Sequence, residues 1–171
     1  QGYSSAASDV YKRQVFEIRM PLVVNHEAVL EEEQPEEEVS GVLTGKKILV
    51  AEDNELNAEI AMELLKEEGF LIDWVKDGQE CFDKLEESDD GYYDLILMDI
   101  QMPILNGYDT TAKIRQMENP KKATTPIVAM TANSFDEDIE MTQKAGMNGF
   151  IAKPLDAEKM FTILKQSIVE N

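Results

Sequence analysis

The stretch DLILMDIQMPILNGYD, residues 94–109, places an aspartate directly after a continuous apolar run. Four consecutive apolar residues before Asp99 are typical of a strand that is covered on both faces of a sheet. Pro103 and Gly107 then turn the chain towards a helical pattern. An aspartate at a strand end often only caps that end or keeps it solvated, but such an aspartate can also take part in a reaction. The surrounding sequence has to distinguish these two interpretations.

The same alternation of an apolar run and a helical segment occurs five times after about residue 45. The predicted strands are residues 47–51, FLIDWVKDG ending at Gly78, YDLILMD, PIVAMT and GFIAK. Strict alternation with buried strands predicts an α/β fold, a doubly wound five-stranded parallel sheet with helices on both faces. The strand order 2-1-3-4-5 suits five units of this length, and its working site lies at the carboxyl ends of the strands.

Apolar positions at helical spacing define the helices between these strands. The first is marked by Leu56, Ile60, Leu64 and Leu65, and Gly69 is its expected stop. Later helices cover QECFDKLEES, YDTTAKIRQMEN closed by Pro120, residues 134–145, and a last segment beginning at Asp156 with Met160, Phe161, Leu164 and Ile168 on one stripe. Cys81 is expected to be a small core residue.

Composition excludes several classes of protein. A formal net charge of -19 with only 16 basic residues argues against a nucleic-acid partner, because such affinity comes from Lys and Arg neutralising phosphates. One cysteine and one histidine, His26, provide neither a disulfide framework nor a zinc cluster. No apolar run approaches the length of a membrane span. The single cysteine favours a reducing cytoplasm, so we expect a cytoplasmic domain without membrane contact of its own, which leaves a membrane anchor in the parent protein open.

The N-terminal part is divided by changes in composition. Residues 1–14 show no strand or helix period, and we expect a non-native or disordered segment. Residues 15–22, VFEIRMPL, alternate like one strand. Residues 23–45 include six glutamates between Glu31 and Glu38 and are predicted to be an acidic linker that also contains His26. Residues 46–171 form the predicted α/β domain.

Polar residues follow most of the predicted strands. Glu52 and Asp53 follow the first strand and Asp99 ends the third. The fourth strand ends at Thr131, and Lys153 ends the fifth, before Pro154. Each would be unremarkable alone, as a cap or a helix N-terminal charge. Their arrival at one sheet edge is much less expected by chance.

Three carboxylates at one edge require a positive charge nearby, or one of them must stay protonated. Two unit charges 4 Å apart interact by about 4 kcal/mol at an effective dielectric of roughly 20. Lys153 supplies one charge, and hard oxygen ligands point to Mg²⁺ for the rest. A cation, Lys153 and the Thr131 hydroxyl would together handle a phosphoryl group, with Asp99 as the nucleophile that forms an acyl phosphate.

Four ordered motifs, ILVAEDNELN, DLILMDIQMPILNGYD, PIVAMTANS and GFIAKPLD, resemble the receiver domain of two-component response regulators, which has the flavodoxin-like fold. The resemblance covers about residues 46–169. It implies that Asp99 is the phosphoacceptor and that Glu52, Asp53, Asp99 and the backbone carbonyl of Gln101 bind Mg²⁺. It also implies a phosphate-contacting Lys153 and a switch formed by Thr131 and Phe150. Phe150 lacks the hydroxyl of a tyrosine, which rules out an outward hydrogen bond from that ring.

The resemblance implies transfer from a phosphohistidine of a histidine kinase or histidine phosphotransfer domain, and it leaves a homodimer open. The VFEIRMPL segment is similar to the last strand of a histidine kinase ATP-binding domain, so the order matches the C-terminal part of a hybrid histidine kinase. No ATP-dependent kinase activity is then expected from this chain, and whether a receiver counts as an enzyme stays open. The alternatives are a single-domain response regulator, a haloacid dehalogenase-type hydrolase, and a non-phosphorylated interaction module. The hydrolase is disfavoured because its nucleophile usually follows the first strand, whereas Asp99 follows the third.

Overall fold

The computed structural model describes residues 43–132 and 136–169. The predictions for residues 1–14, for the strand at 15–22 and for the linker up to residue 42 lie outside the described residues. Within the described ranges, no helix combines the length and the apolar character that crossing a bilayer would require.

A five-stranded sheet forms the centre of the described domain. Its strands are β1 (Lys47–Ala51), β2 (Leu71–Val75), β3 (Leu95–Asp99), β4 (Ile127–Thr131) and β5 (Gly149–Ala152). All four pairings are parallel, and the order is β2-β1-β3-β4-β5. The predicted sheet and strand order are therefore confirmed.

Among the described residues, five helices of at least 9 residues connect or follow the strands: α1 (Glu55–Glu67), α2 (Gly78–Glu87), α3 (Gly107–Arg115), α4 (Asp136–Ala145) and α5 (Ala157–Val169). Side chains cap the helices that begin near the carboxyl ends of the strands. Asn54 accepts from a backbone N–H of α1, Asp77 from two of α2, and Asn106 from one of α3. Each cap satisfies donors that the first helical turn leaves unpaired, and so fixes where the helix begins.

The core has two parts because side chains alternate across each strand. One cluster contains Leu49, Ile96, Met98 and Ile127 from the strands, and it includes Cys81, Leu85 and Ile114 from α2 and α3. The other contains Ile48, Val50, Leu95 and Leu97 together with Leu65 of α1 and Met160 and Leu164 of α5. Every residue of β3 and β4 is buried, as expected of strands covered on both faces. The predictions for Cys81 and for the apolar stripe of the last helix are confirmed.

The first predicted helix is confirmed as α1, in which Leu56 and Ile60 are 64% and 46% exposed and the buried face is formed by Ala58, Ala61 and Leu65. The predicted end of the third helix is wrong. Pro120 does not close the third helix, which ends at Arg115. Pro120 instead begins a separate single turn, Pro120–Ala123, whose cap is Asn119. Proline suits the first helical position, because its missing N–H would be unpaired there anyway.

Two boundaries also differ from the prediction. β2 ends at Val75, and Gly78 is the first residue of α2, because the Asp77 side chain caps that helix. Leu43, assigned to the linker, is buried in the second cluster, and the Gly45 N–H donates to the Gly69 carbonyl oxygen. Residues 43–45 therefore pack with the domain.

Candidate functional site

The carboxyl ends of β1, β3, β4 and β5 deliver the predicted polar residues to one edge of the sheet. Asp99 is the last residue of β3 and Thr131 the last residue of β4, and these two strands are neighbours. Glu52 directly follows β1, and β3 lies between β1 and β4 in the sheet. Lys153 directly follows β5, and its backbone N–H donates to the Thr131 carbonyl oxygen at 2.7 Å.

Three carboxylates converge at this edge. Glu52, Asp53 and Asp99 each offer an oxygen atom, and these atoms lie within 4.8 Å of one another. Glu52 and Asp99 are buried, with 1% and 5% of their surface exposed, whereas Asp53 is exposed. A cation that entered from solvent would therefore meet Asp53 first and the two buried carboxylates behind it.

Lys153 pairs with both buried carboxylates. Its Nζ lies 2.6 Å from Oε2 of Glu52 and 3.0 Å from Oδ2 of Asp99. Burial alone would lower the pKa of Lys153, but the bonds to Glu52 and Asp99 outweigh burial and raise that pKa. The ammonium group therefore stays charged and offsets part of the carboxylate repulsion.

Asp99 is a buried carboxyl group next to a second one, Glu52. Burial raises the pKa of Asp99, and the neighbouring Glu52 charge raises it further. Lys153 and the Gln101 backbone N–H, which lies 3.3 Å from Oδ1 of Asp99, act in the opposite direction without cancelling the increase. A bound cation would favour the ionised form of Asp99.

Two further residues hold Glu52, and the sequence did not identify either. The Asn57 amide Nδ2 donates to Oε1 of Glu52 at 3.0 Å. The Trp74 indole Nε1 donates to the Glu52 backbone carbonyl at 2.9 Å. The position of Asn57 was a possible signal, since it lies in the first turn of the helix that follows Glu52. Trp74 gave no local signal, because it reaches Glu52 from another strand.

Close packing at Gly107 and a tight turn at Ile104 shape the loop between β3 and α3. A Cβ added to Gly107 would lie 2.4 Å from the Asp99 carbonyl oxygen, so only glycine allows α3 to start so close to the strand. In the middle of the loop, Ile104 is 81% exposed and has a φ of 66°, which is uncommon for a β-branched residue. The Leu105 N–H donates to the Pro103 carbonyl oxygen at 2.7 Å across this turn.

The remaining predicted residues lie around the same edge. Thr131 is buried, with 6% of its surface exposed. Gln101 is exposed in the loop after Asp99. Phe150 lies on β5, three residues before Lys153, and is partly buried against the first core cluster. Asn133 and Ser134, which follow Thr131 in the PIVAMTANS motif, lie outside the described residues.

A family comparison matches residues 48–165 to the response regulator receiver domain. The osmosensing histidine protein kinase SLN1 of Saccharomyces cerevisiae is 43% identical over 126 residues, which are 72% of this chain and 10% of that protein. Hybrid signal transduction histidine kinase I of Dictyostelium discoideum is 37% identical over 134 residues, 77% of this chain and 8% of that protein. The chain thus spans about a tenth of the length of these relatives.

Solved structures show the same similarity. The receiver domain of a sensor histidine kinase from Pseudomonas aeruginosa, with a magnesium ion coordinated in its active site cleft, is 36% identical. The match has a TM-score of 0.66 and covers 74% of this chain and 99% of that one. A Saccharomyces cerevisiae response regulator receiver, solved with a histidine phosphotransfer protein, is 26% identical, with a TM-score of 0.67 and coverages of 74% and 91%.

Proposed function

Because the chain belongs to the response regulator receiver domain family, we propose that Asp99 is the phosphoacceptor of a two-component phosphorelay. The observation that carries this assignment is the position of Asp99, at the end of a buried strand and 3.0 Å from the Lys153 ammonium group. Glu52 and Asp53 lie beside it. A lone strand-end cap would need neither the paired lysine nor the two further carboxylates.

The three carboxylates fit a magnesium ion. Oxygen donors without histidine or cysteine are the ligands that Mg²⁺ prefers, together with retained waters. Glu52, Asp53 and Asp99 each offer an oxygen atom to the proposed ion, and Asn57 and Lys153 hold the two Glu52 side-chain oxygens in place. The backbone carbonyl of Gln101 completes the proposed set. When bound, the cation neutralises charge that develops on the phosphoryl oxygens.

The proposed reaction moves a phosphoryl group between two side chains. A carboxylate oxygen of Asp99 attacks phosphorus and forms a P–O bond, while the P–N bond of the donor phosphohistidine breaks. The electron pair of that bond stays on the imidazole nitrogen, which then takes a proton from solvent. An ionised Asp99 needs no general base. Lys153 remains protonated beside Asp99 and stabilises the added negative charge.

Thr131 and Phe150 form the proposed switch. The buried Thr131 hydroxyl, at the end of the strand next to Asp99, would hydrogen-bond a phosphoryl oxygen. Phe150, on the neighbouring strand β5, would then repack and change the surface of α4, β5 and α5. Phosphorylation therefore acts as a population shift that is biased by one new dianion.

The proposed donor is a histidine kinase or a histidine phosphotransfer domain. Leu56 and Ile60 are exposed on α1, and Ile60 lines a groove beside the site together with Lys153, Pro154 and Leu155. Such an apolar rim suits a protein donor rather than a small molecule alone. The similarity to hybrid histidine kinases supports the proposal that this receiver is one part of such a kinase.

Labelling with acetyl phosphate and Mg²⁺ tests the assignment of Asp99. We expect the wild-type chain to form an acyl phosphate and Asp99→Asn to form none, because an amide oxygen is a poor nucleophile. Asp83→Asn, which changes an exposed aspartate on α2, is the matched control and should label normally. Undiminished labelling of Asp99→Asn would overturn the assignment.

A further inference from the structure

We propose that Trp74 is a positioning residue that fixes the backbone of Glu52 and thereby sets the acidic pair for cation binding. The inference rests on the proposed function, because it assumes that the cation binds at Glu52, Asp53 and Asp99. Trp74 does not touch the cation in this proposal. It acts through Glu52.

Four different contacts hold Glu52 just beyond the end of β1. Its N–H donates to the Val75 carbonyl oxygen at 3.1 Å, and its carbonyl oxygen accepts from the Trp74 indole at 2.9 Å. Asn57 and Lys153 hold the two side-chain oxygens. Backbone and side chain are thus fixed separately, and β2 provides both backbone contacts.

The bond to the Glu52 carbonyl oxygen comes from the Trp74 side chain and not from the backbone hydrogen bonds between β1 and β2. In the β1–β2 register Trp74 is the partner of Val50, two residues before Glu52. A long side chain that extends towards the strand end is therefore needed to reach the Glu52 carbonyl from that position. Phenylalanine would leave this carbonyl without its protein donor, although it could occupy most of the same space.

A second contact holds the indole in place from outside. The Lys76 ammonium group lies 5.2 Å from the centre of the Trp74 ring, and the same group pairs with Glu55 at 2.8 Å. Glu55 is the first residue of α1, which begins two residues after Asp53. The indole therefore contacts the backbone of Glu52 on one side and the Lys76 ammonium group on the other. Through Lys76 it is connected to Glu55, so its contacts reach the chain both before and after Asp53.

Fixing the backbone matters here because Glu52 and Asp53 are consecutive. A shift of the Glu52 carbonyl changes the peptide that leads into Asp53, whose carboxylate is exposed and has no core packing to hold it. Groups that orient metal ligands commonly affect metal affinity although they do not bind the ion. We therefore expect Trp74 to influence the affinity for Mg²⁺ more than its packing alone would.

Calorimetric titration with Mg²⁺ at constant ionic strength tests the proposal. We expect Trp74→Phe to raise the Kd for Mg²⁺ about threefold to tenfold, the range that loss of one hydrogen bond produces. The matched control is Ile72→Val, in the same strand and against the same core cluster but without contact to Glu52. This control should lose stability in urea unfolding while its Kd stays within about twofold of the wild type.

Trp74 is the one tryptophan of the chain, which permits a closer replacement. Incorporation of benzothienylalanine in place of tryptophan exchanges the indole N–H for sulfur at this position alone and keeps the ring size. This replacement should weaken Mg²⁺ binding as much as Trp74→Phe does. It also provides the test if Trp74→Phe does not fold. An unchanged Kd in the replaced proteins, or an equal increase in Ile72→Val, would overturn the proposal. Absence of Mg²⁺ binding by the wild type would instead contradict the metal site of the proposed function.

Discussion

At the scale of single residues, Gly107 shows how closely the site depends on packing behind it. Its position beside the Asp99 carbonyl oxygen leaves no room for a side chain, and the backbone of Ile100 lies 3.0 Å from the same Cβ position. Gly107→Ala must therefore push α3 away from β3 at the residue that carries the proposed nucleophile. We expect a loss of about 2 to 3 kcal/mol in the free energy of unfolding, measured in urea, and slower acetyl phosphate labelling.

Gly91→Ala is the control for Gly107→Ala. Gly91 has a φ of 73°, but a Cβ there would meet nothing within 4 Å. Only backbone strain should result, about 1 kcal/mol, with unchanged labelling. If both variants lost the same stability and both labelled normally, the close contact at Gly107 would have no role in placing Asp99.

The sequence predicted which residues gather at the site because strand ends can be read from apolar runs. Asp99 and Lys153 adjoin such runs, and a parallel sheet brings these ends to one edge. The contacts of Asn57 and Trp74 with Glu52 could not be predicted, since they depend on strand register and side-chain rotamers. These are set by the whole core rather than by local pattern.

At the scale of secondary structure, boundaries were less predictable than the elements themselves. In α1 the large residues Leu56 and Ile60 marked the helix, but the small Ala58 and Ala61 lie on its buried face. A helix packed close to a sheet favours small residues at the contact, and this preference is not visible as a hydrophobic stripe. The exposed pair instead belongs to the surface that we propose for the phosphoryl donor.

Arg115 connects several elements at the end of the sheet opposite the site. Its guanidinium group donates to the carbonyl oxygens of Gly146, Ala123 and Thr125 and to Oδ1 of Asn148, at 2.6 to 3.0 Å. None of these acceptors carries a formal charge, and burial lowers the pKa of Arg115. The end of α3, the single turn before β4 and the connection from α4 to β5 therefore depend on one side chain.

Arg115→Lys should remove most of the contacts between these elements while it keeps the positive charge. An ammonium group cannot reproduce the planar set of donors, so several carbonyl groups lose their partner. We expect a loss of about 2 kcal/mol in the free energy of unfolding, measured by urea denaturation. Lys144→Met, which removes an exposed pair with Glu140, should change stability by less than about 0.5 kcal/mol. Equal effects of both variants would show that Arg115 is not a structural connection.

At the scale of the whole molecule, repulsion between negative charges opposes folding. The chain carries a net charge of -19, and the site adds three carboxylates within 4.8 Å of one another against one close lysine. Any salt should therefore stabilise the fold somewhat by screening repulsion. A specific magnesium site must produce an effect beyond that general one.

Thermal and urea unfolding at constant ionic strength can separate the two effects. With free Mg²⁺ at ten times its Kd, and KCl adjusted to hold ionic strength, the wild type should gain about 1.4 kcal/mol, because the cation binds only the folded site. Asp53→Ala should lose this gain, and without Mg²⁺ it should be at least as stable as the wild type, since one repelling charge is gone. Glu59→Ala removes an exposed carboxylate from α1 and should retain the full gain. An equal gain in Asp53→Ala would mean that Mg²⁺ acts by screening alone, and that the three carboxylates form a charged cluster rather than a binding site.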